Sequence, residues 1–172
     1  MGLTPLEGLP GATRSGTLDP SLIFHYTSDA SKLSSSATEK IHITQAEDIL
    51  NKKSGWKALT GTTDFGVITK KAAEGDEMAQ LAIDIMVDRV VGYIGSYWVK
   101  LGGKIDALVF AGGIGEKGRE FREMVMEQVS CLGLQLDKQK NEKAGELEDE
   151  VIDISSGGKV RTLVVKTDEQ VS

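Results

Sequence analysis

The chain has 172 residues, 40% apolar and 27% charged, with 26 acidic against 20 basic side chains and a formal net charge of -6. That is the composition of a globular protein large enough to bury one core, and it offers no basic stripe with which to hold a nucleic acid or an anionic membrane. A single cysteine, Cys131, excludes an internal disulfide, and no His/Cys group has zinc spacing, so a reducing, cytoplasmic compartment is expected. Met1-Gly2-Leu3-Thr4-Pro5 lacks the basic and apolar regions of a signal peptide, and no apolar run is long enough to span a bilayer, so no membrane partner is expected.

A Gly/Pro-rich loop runs from Gly8 to Gly16, and Asp19-Pro20 then pairs an N-cap acid with a proline at the first helical position, predicting a short helix from Pro20 to about Tyr26. Ser28 to Ser36 reads as a polar loop. Thr44-Gln45-Ala46-Glu47 has capping-box form and Gly55 reads as the stop, which predicts a helix of about ten residues with Trp56 packing behind it. From Asp76 to about Leu101, Met78, Leu81, Ala82, Ile85, Met86, Val90, Ile94, Tyr97 and Trp98 recur at spacings of three and four, the pattern of a long amphipathic helix. Gly102-Gly103 ends it. Ile105 to Ala111 is a continuous apolar run of the kind found in buried parallel strands, and a glycine-rich turn follows. Arg119 to about Leu132 reads as a helix and Gly133 to Leu136 as a second strand, together a βαβ unit. Lys138 to Glu150 reads as a solvated connection, and Val151 to Ile154 and Val160 to Val165 as strands around a turn at Ser155 to Gly158. Helices alternating with short apolar strands predict an α/β architecture.

The segment Ala111-Gly112-Gly113-Ile114-Gly115-Glu116-Lys117-Gly118 stands between a strand and a helix, where backbone N–H groups and the helix dipole can meet phosphate oxygens. The plainer alternative is a tight strand-to-helix turn with no ligand. Gly113, Gly115 and Gly118 also satisfy G-x-G-x-x-G, with Asp137 about where the ribose-binding acid of an NAD-binding Rossmann domain belongs. Too little chain follows Asp137 to complete such a domain, which counts against that alternative.

In chain order, Met1-Gly2-Leu3-Thr4-Pro5-Leu6-Glu7-Gly8, Gly11-Ala12-Thr13-Arg14-Ser15-Gly16, Phe110-Ala111-Gly112-Gly113-Ile114-Gly115-Glu116 and Thr167-Asp168-Glu169 resemble consecutive motifs of the acetate kinase family, and the chain resembles that family's carboxyl-terminal half. The resemblance implies an RNase H-like α/β domain of the actin-like and sugar-kinase superfamily, with residues 1–172 as a single incomplete, nucleotide-binding domain. It also implies reversible, Mg2+-dependent transfer between ATP and acetate to give acetyl phosphate and ADP, a reaction that asks the protein for positioning and charge stabilisation. Arg14 matches the family's catalytic arginine, whose guanidinium spreads donors over the transferring phosphoryl group. Gly113, Ile114, Gly115, Glu116 and Lys117 match the nucleotide loop, although the family has asparagine where Lys117 stands. Asp64-Phe65-Gly66 falls where the family contacts the nucleoside, with Gly66 replacing an arginine. Glu169 matches a Mg2+ ligand. From the residues alone, Arg14 reads as an exposed loop arginine, Asp64 as a nucleoside contact or a turn or N-cap acid, and Glu169 as a solvated acid. His25 and His42 fall in no motif and read as packing or surface residues.

The arginine, aspartate, histidine and asparagine of the family's acetate pocket lie upstream of the Met1 position, so the isolated chain is expected to be catalytically impaired. A non-catalytic nucleotide-binding module and a structural fragment stand beside the enzyme as alternatives. The resemblance also implies a homodimer joined through this domain, with the long helix as candidate contact; an ordinary buried core helix explains the same pattern.

Overall fold

The computed structural model describes residues 3–26, 29, 31–38, 43–146 and 149–167. They fall into two units, Met1–Met86 and Val87–Ser172, taken separately below.

The first unit is helical. Helix α1 (Leu22–Tyr26) starts behind Asp19, whose carboxylate accepts from the Ser21 amide at 2.9 Å. Helix α2 (Gln45–Lys52) starts at Thr44, whose hydroxyl accepts from the Glu47 amide at 3.2 Å, the expected cap. The stop expected at Gly55 is instead the first residue of another helix, α3 (Gly55–Thr60), entered at φ +69°. Helix α4 (Phe65–Ala73), which the sequence pattern did not predict, is capped by Asp64. Helix α5 (Glu77–Lys100) begins behind Asp76, which accepts from the Met78 and Ala79 amides, each at 3.0 Å. It runs through the boundary between the units. The buried row of α5 is Ala79, Ala82, Ile83, Met86 and Val87, whereas Met78, Leu81 and Ile85, expected to face inward, are exposed. No helix among the described residues is long and apolar enough to cross a membrane.

The second unit is built on a three-stranded sheet. Strands β1 (Ala107–Phe110), β2 (Val151–Asp153) and β3 (Arg161–Val165) lie in the order β1-β3-β2. β1 and β3 are parallel, with Ala107 opposite Arg161 and Phe110 opposite Val164; β2 is antiparallel to β3, with Ile152 opposite Val164. Between β1 and β2 run α6 (Gly112–Lys117), α7 (Arg119–Gln128), a 3-10 turn at Ser130–Leu132, and α8 (Lys138–Lys143). Phe110, Phe121, Val125, Met126, Leu134, Ile152, Ile154 and Val164 are among the buried apolar residues of this α/β unit.

Three expectations are corrected here. Residues 133–136 form no strand: Gly133 turns left-handed at φ +80°, and only Leu136 pairs, in a single antiparallel bridge with Ser155. The parallel neighbour of β1 is therefore β3. The connection after Lys138 is not wholly solvated, because α8 buries Asn141 and Ala144. The glycine-rich segment after β1 is itself helical, α6.

Candidate phosphate and nucleotide site

Arg14 sits in a loop that folds back on itself. The Gly11 amide donates to the Arg14 carbonyl at 2.9 Å and the Thr17 amide to the Gly8 carbonyl at 3.0 Å. Gly16 closes the loop at φ +70°, where a Cβ would lie 2.6 Å from the Pro10 nitrogen, so no side chain fits. The Arg14 guanidinium lies over Gly11, with Nε and Nη2 each 3.5 Å from the position a Gly11 Cβ would take. Its Nε is buried without a hydrogen-bond partner, and no carboxylate among the described residues pairs with it. A half-buried cation with an unused donor is costly by itself and is suited to an anion.

The same unit holds the second predicted segment. Asp64 caps α4, its Oδ1 accepting from the Gly66 amide at 2.8 Å and the Val67 amide at 3.1 Å. Phe65 packs edge-on against Trp56, ring centroids 5.4 Å apart and planes at 70°. Trp56 is buried, its Nε1 donating to the Thr63 carbonyl at 3.1 Å, and its amide donates to the Gly11 carbonyl at 3.2 Å. Trp56 thus joins the Arg14 loop to Asp64-Phe65-Gly66. Sequence reasoning saw that Trp56 packs but not that it makes this link.

In the second unit, α6 follows β1 directly through Gly112 at φ +71°. Gly115 is buried, and a Cβ there would lie 3.2 Å from the Phe110 carbonyl carbon; at Gly118 it would lie 2.6 Å from the Ile114 oxygen. These two glycines serve packing. Gly113 differs: it is exposed, and a Cβ there would meet nothing within 4 Å. Ile114 is half-buried and Lys117 exposed. The Glu116 carboxylate accepts from the Thr167 amide at 3.0 Å and from the Thr167 hydroxyl at 2.9 Å, and these bonds, backbone first, hold its pKa below the usual value. Glu116 therefore ties α6 to the chain just after β3. Glu169 lies outside the described residues.

Two residues that the sequence did not single out hold α6 from beneath. Arg122, fully buried, donates through Nη1 to the Gly115 carbonyl at 2.8 Å and the Glu116 carbonyl at 2.7 Å. Its Nε donates to the Asn141 side-chain oxygen at 2.6 Å and its Nη2 to the Asn141 carbonyl at 3.0 Å. Burial pushes the Arg122 pKa down, against the pull of Glu120 and Glu123. Asn141 in turn donates to the Arg119 carbonyl at 3.1 Å. Asp137, the candidate ribose acid of the dinucleotide alternative, is instead the N-cap of α8, accepting from the Gln139 and Lys140 amides. That alternative loses both its second strand and its acid.

Among solved structures, a propionate kinase from Francisella tularensis matches with a TM-score of 0.80 at 37% identity, covering 99% of this chain and 40% of that one. Porphyromonas gingivalis acetate kinase matches with a TM-score of 0.79 at 33% identity, covering 98% and 40%. The fold class is thus the expected RNase H-like α/β class of the actin-like and sugar-kinase superfamily. The chain belongs to the acetokinase family, whose profile matches residues 1–172. A probable acetate kinase from Emericella nidulans is 55% identical over 99% of this chain and 41% of its own length. The chain spans about two fifths of the length of the curated relatives it matches.

Proposed function

We propose that this chain carries the nucleotide and phosphoryl side of an acetate kinase-type phosphotransferase, as the counterpart of the carboxyl-terminal, nucleotide-binding half of its relatives. The reaction is ATP plus acetate to acetyl phosphate plus ADP, reversibly. A carboxylate oxygen of acetate forms the new bond to the γ-phosphorus, and the bond from that phosphorus to the β,γ-bridging oxygen breaks, leaving its electron pair on ADP. Arg14 spreads its donors over the transferring phosphoryl oxygens. The exposed amino end of α6, at Gly113, admits the nucleotide phosphates, and Ile114, Gly115, Glu116 and Lys117 shape that approach. Asp64, Phe65 and Gly66 border the nucleoside. The observation that carries this reading is Arg14, a loop cation whose buried Nε has no acceptor.

Mg2+ supplies neutralisation of phosphate charge when bound. Among the described residues no three Asp, Glu, His or Cys side chains cluster to hold a metal, and Glu116 is engaged by Thr167, so Glu169 is the residue that would hold the ion. The similarity to a propionate kinase as well as to acetate kinases supports a short-chain carboxylate as the acceptor class. A homodimer and a cytoplasmic setting complete the proposal.

The alternative is a module that binds nucleotide without turnover. In-line transfer needs both reactants oriented together, and the acetate-side residues implied by the family fall outside these 172 residues. Calorimetric titration of MgATP into the chain, with an acetyl phosphate assay alongside, separates the two. Binding without turnover is expected. Gly113→Ala is a clean probe because its Cβ meets nothing in the fold; it should weaken MgATP about tenfold, or ~1.4 kcal/mol, by holding phosphate off the backbone. Rapid acetyl phosphate formation by the isolated chain would show that it needs no further acetate-binding segment. Absence of MgATP binding would sink the nucleotide reading.

A further inference from the structure

We infer that the junction between α2 and α3 is the positioning device for Arg14, with Thr13, Asn51, Ser54 and Gly55 as positioning residues; this rests on the reading of Arg14 as the phosphoryl ligand.

A helix leaves its last carbonyls and first amides without partners of its own. At this junction two such ends meet, and the Arg14 loop satisfies both. At the carboxyl end of α2, the Leu50 carbonyl accepts from the Ser15 amide at 2.8 Å and the Asn51 carbonyl from the Thr13 hydroxyl at 2.9 Å. At the amino end of α3, the Ser54, Trp56 and Lys57 amides donate to the carbonyls of Thr13, Gly11 and Ala12 at 3.0, 3.2 and 2.9 Å. Ser54 occupies the N-cap position but makes no capping bond; its hydroxyl donates to the Ile49 carbonyl at 2.7 Å, because the loop carbonyls already do the capping. Thr13 and Ser15, the two neighbours of Arg14, are thus both anchored to α2. One residue between two anchors has almost no backbone freedom.

Gly55 makes the close approach achievable. It stands at φ +69°, and any Cβ there would collide with the carbonyl oxygen of Gly11, the residue over which the Arg14 guanidinium lies. The junction is clamped in turn by Asp48, buried in the first turn of α2, which accepts from Lys53 at 2.8 Å and pairs with Lys52 at 3.4 Å. The run Asn51-Lys52-Lys53-Ser54-Gly55 therefore does more than end one helix and start another. It fixes the Arg14 backbone before any ligand arrives, so the ordering cost is already met in folding.

The test uses the full chain, labelled with 15N, with the Arg14 Nε–H resonance assigned through Arg14→Lys. Relaxation of that resonance in the free protein reads positioning, and titration with inorganic phosphate reads the function assigned to Arg14. Thr13→Val deletes the bond to Asn51 with little change of shape, Thr13→Ser keeps it, and Gly55→Ala applies the larger disruption. Expected are an ordered Arg14 Nε in the wild type, a mobile one in Thr13→Val with about tenfold weaker phosphate binding, and recovery to within about twofold in Thr13→Ser. Thermal melts establish that Thr13→Val is folded, and it keeps the test decisive if Gly55→Ala does not fold. Equal Arg14 order and equal phosphate affinity in folded Thr13→Val and wild type overturn the inference, as does loss that Thr13→Ser does not restore. An Arg14 that is ordered by the junction yet blind to phosphate supports the positioning and overturns the functional reading beneath it.

Discussion

Arg122 and Asn141 show what a sequence hides at the level of single residues. Arg122 lies in an amphipathic stretch among Glu120, Glu123 and Glu127, and reads there as one more surface charge. It is the spatial arrival of the α6 carbonyls and of Asn141 from α8 that lets the guanidinium be buried, since all three of its nitrogens then find acceptors. Arg122→Ala would take the donor from three carbonyls, those of Gly115, Glu116 and Asn141, and from the Asn141 side-chain oxygen, and is expected to cost about 3–5 kcal/mol. Urea unfolding with an unchanged slope measures it; a loss under about 1 kcal/mol would mean that solvent replaces the lost bonds. Arg14 was legible only through its motif. Nothing in its own neighbourhood of small and polar residues distinguishes a positioned cation from a loop arginine, and the anchoring partners Leu50, Asn51 and Ser54 stand some forty residues later, about a span no local pattern covers. Asp64 was open between a contact and a cap, and its capping bonds are now plain, while a nucleoside role remains part of the proposal.

At the level of elements, the sequence spoke most clearly where periodicity and caps agreed. Helix α5, strand β1 and strand β3 lie where expected, because a long three-four pattern and short apolar runs bounded by glycine admit few alternatives. Of the expected inward row of α5, Ala82 and Met86 are buried, whereas Met78, Leu81 and Ile85 give way to Ala79, Ile83 and Val87, because both rows carry apolar residues at the same spacing and only the packing chooses between them. Helices α4 and α8 were missed for the opposite reason. Their segments, FGVITKKAA and KQKNEK, are short or charged, and each is started by an aspartate cap whose value depends on geometry. The same caps and clamps carry a pH dependence. Asp48 is held down to about 2 first by the Lys53 ammonium, against burial, and Asp153 to about 2 by Ser155, with help from Arg161. Both are depressed from 3.8, so their stabilisation is complete above pH 4 or so and is lost as pH falls from there toward 2. Denaturation midpoints measured from pH 5 to pH 2 should fall steeply in that window, and less steeply in Asp48→Asn; equal slopes would remove Asp48 from the account.

For the whole molecule, family membership and fold class were legible from four motifs in order, whereas the division at Met86/Val87 was not, because it falls inside an uninterrupted helix. The exposed apolar residues of α5, among them Met78, Leu81, Tyr97 and Val99, suit the proposed homodimer. Sedimentation should then give twice the chain mass of 18.5 kDa, and a monomeric mass at micromolar concentration would refute it. The chain's two tryptophans fall one to each unit: Trp56 is buried against Phe65 and bonded to the Arg14 loop, while Trp98 lies on the far part of α5. The protein therefore carries two built-in optical probes at separate addresses. In Trp98→Phe, the remaining indole emission reports the state of the Arg14 loop alone, and in Trp56→Phe it follows the sheet-bearing unit, so a fluorimeter can tell whether the two halves come apart together.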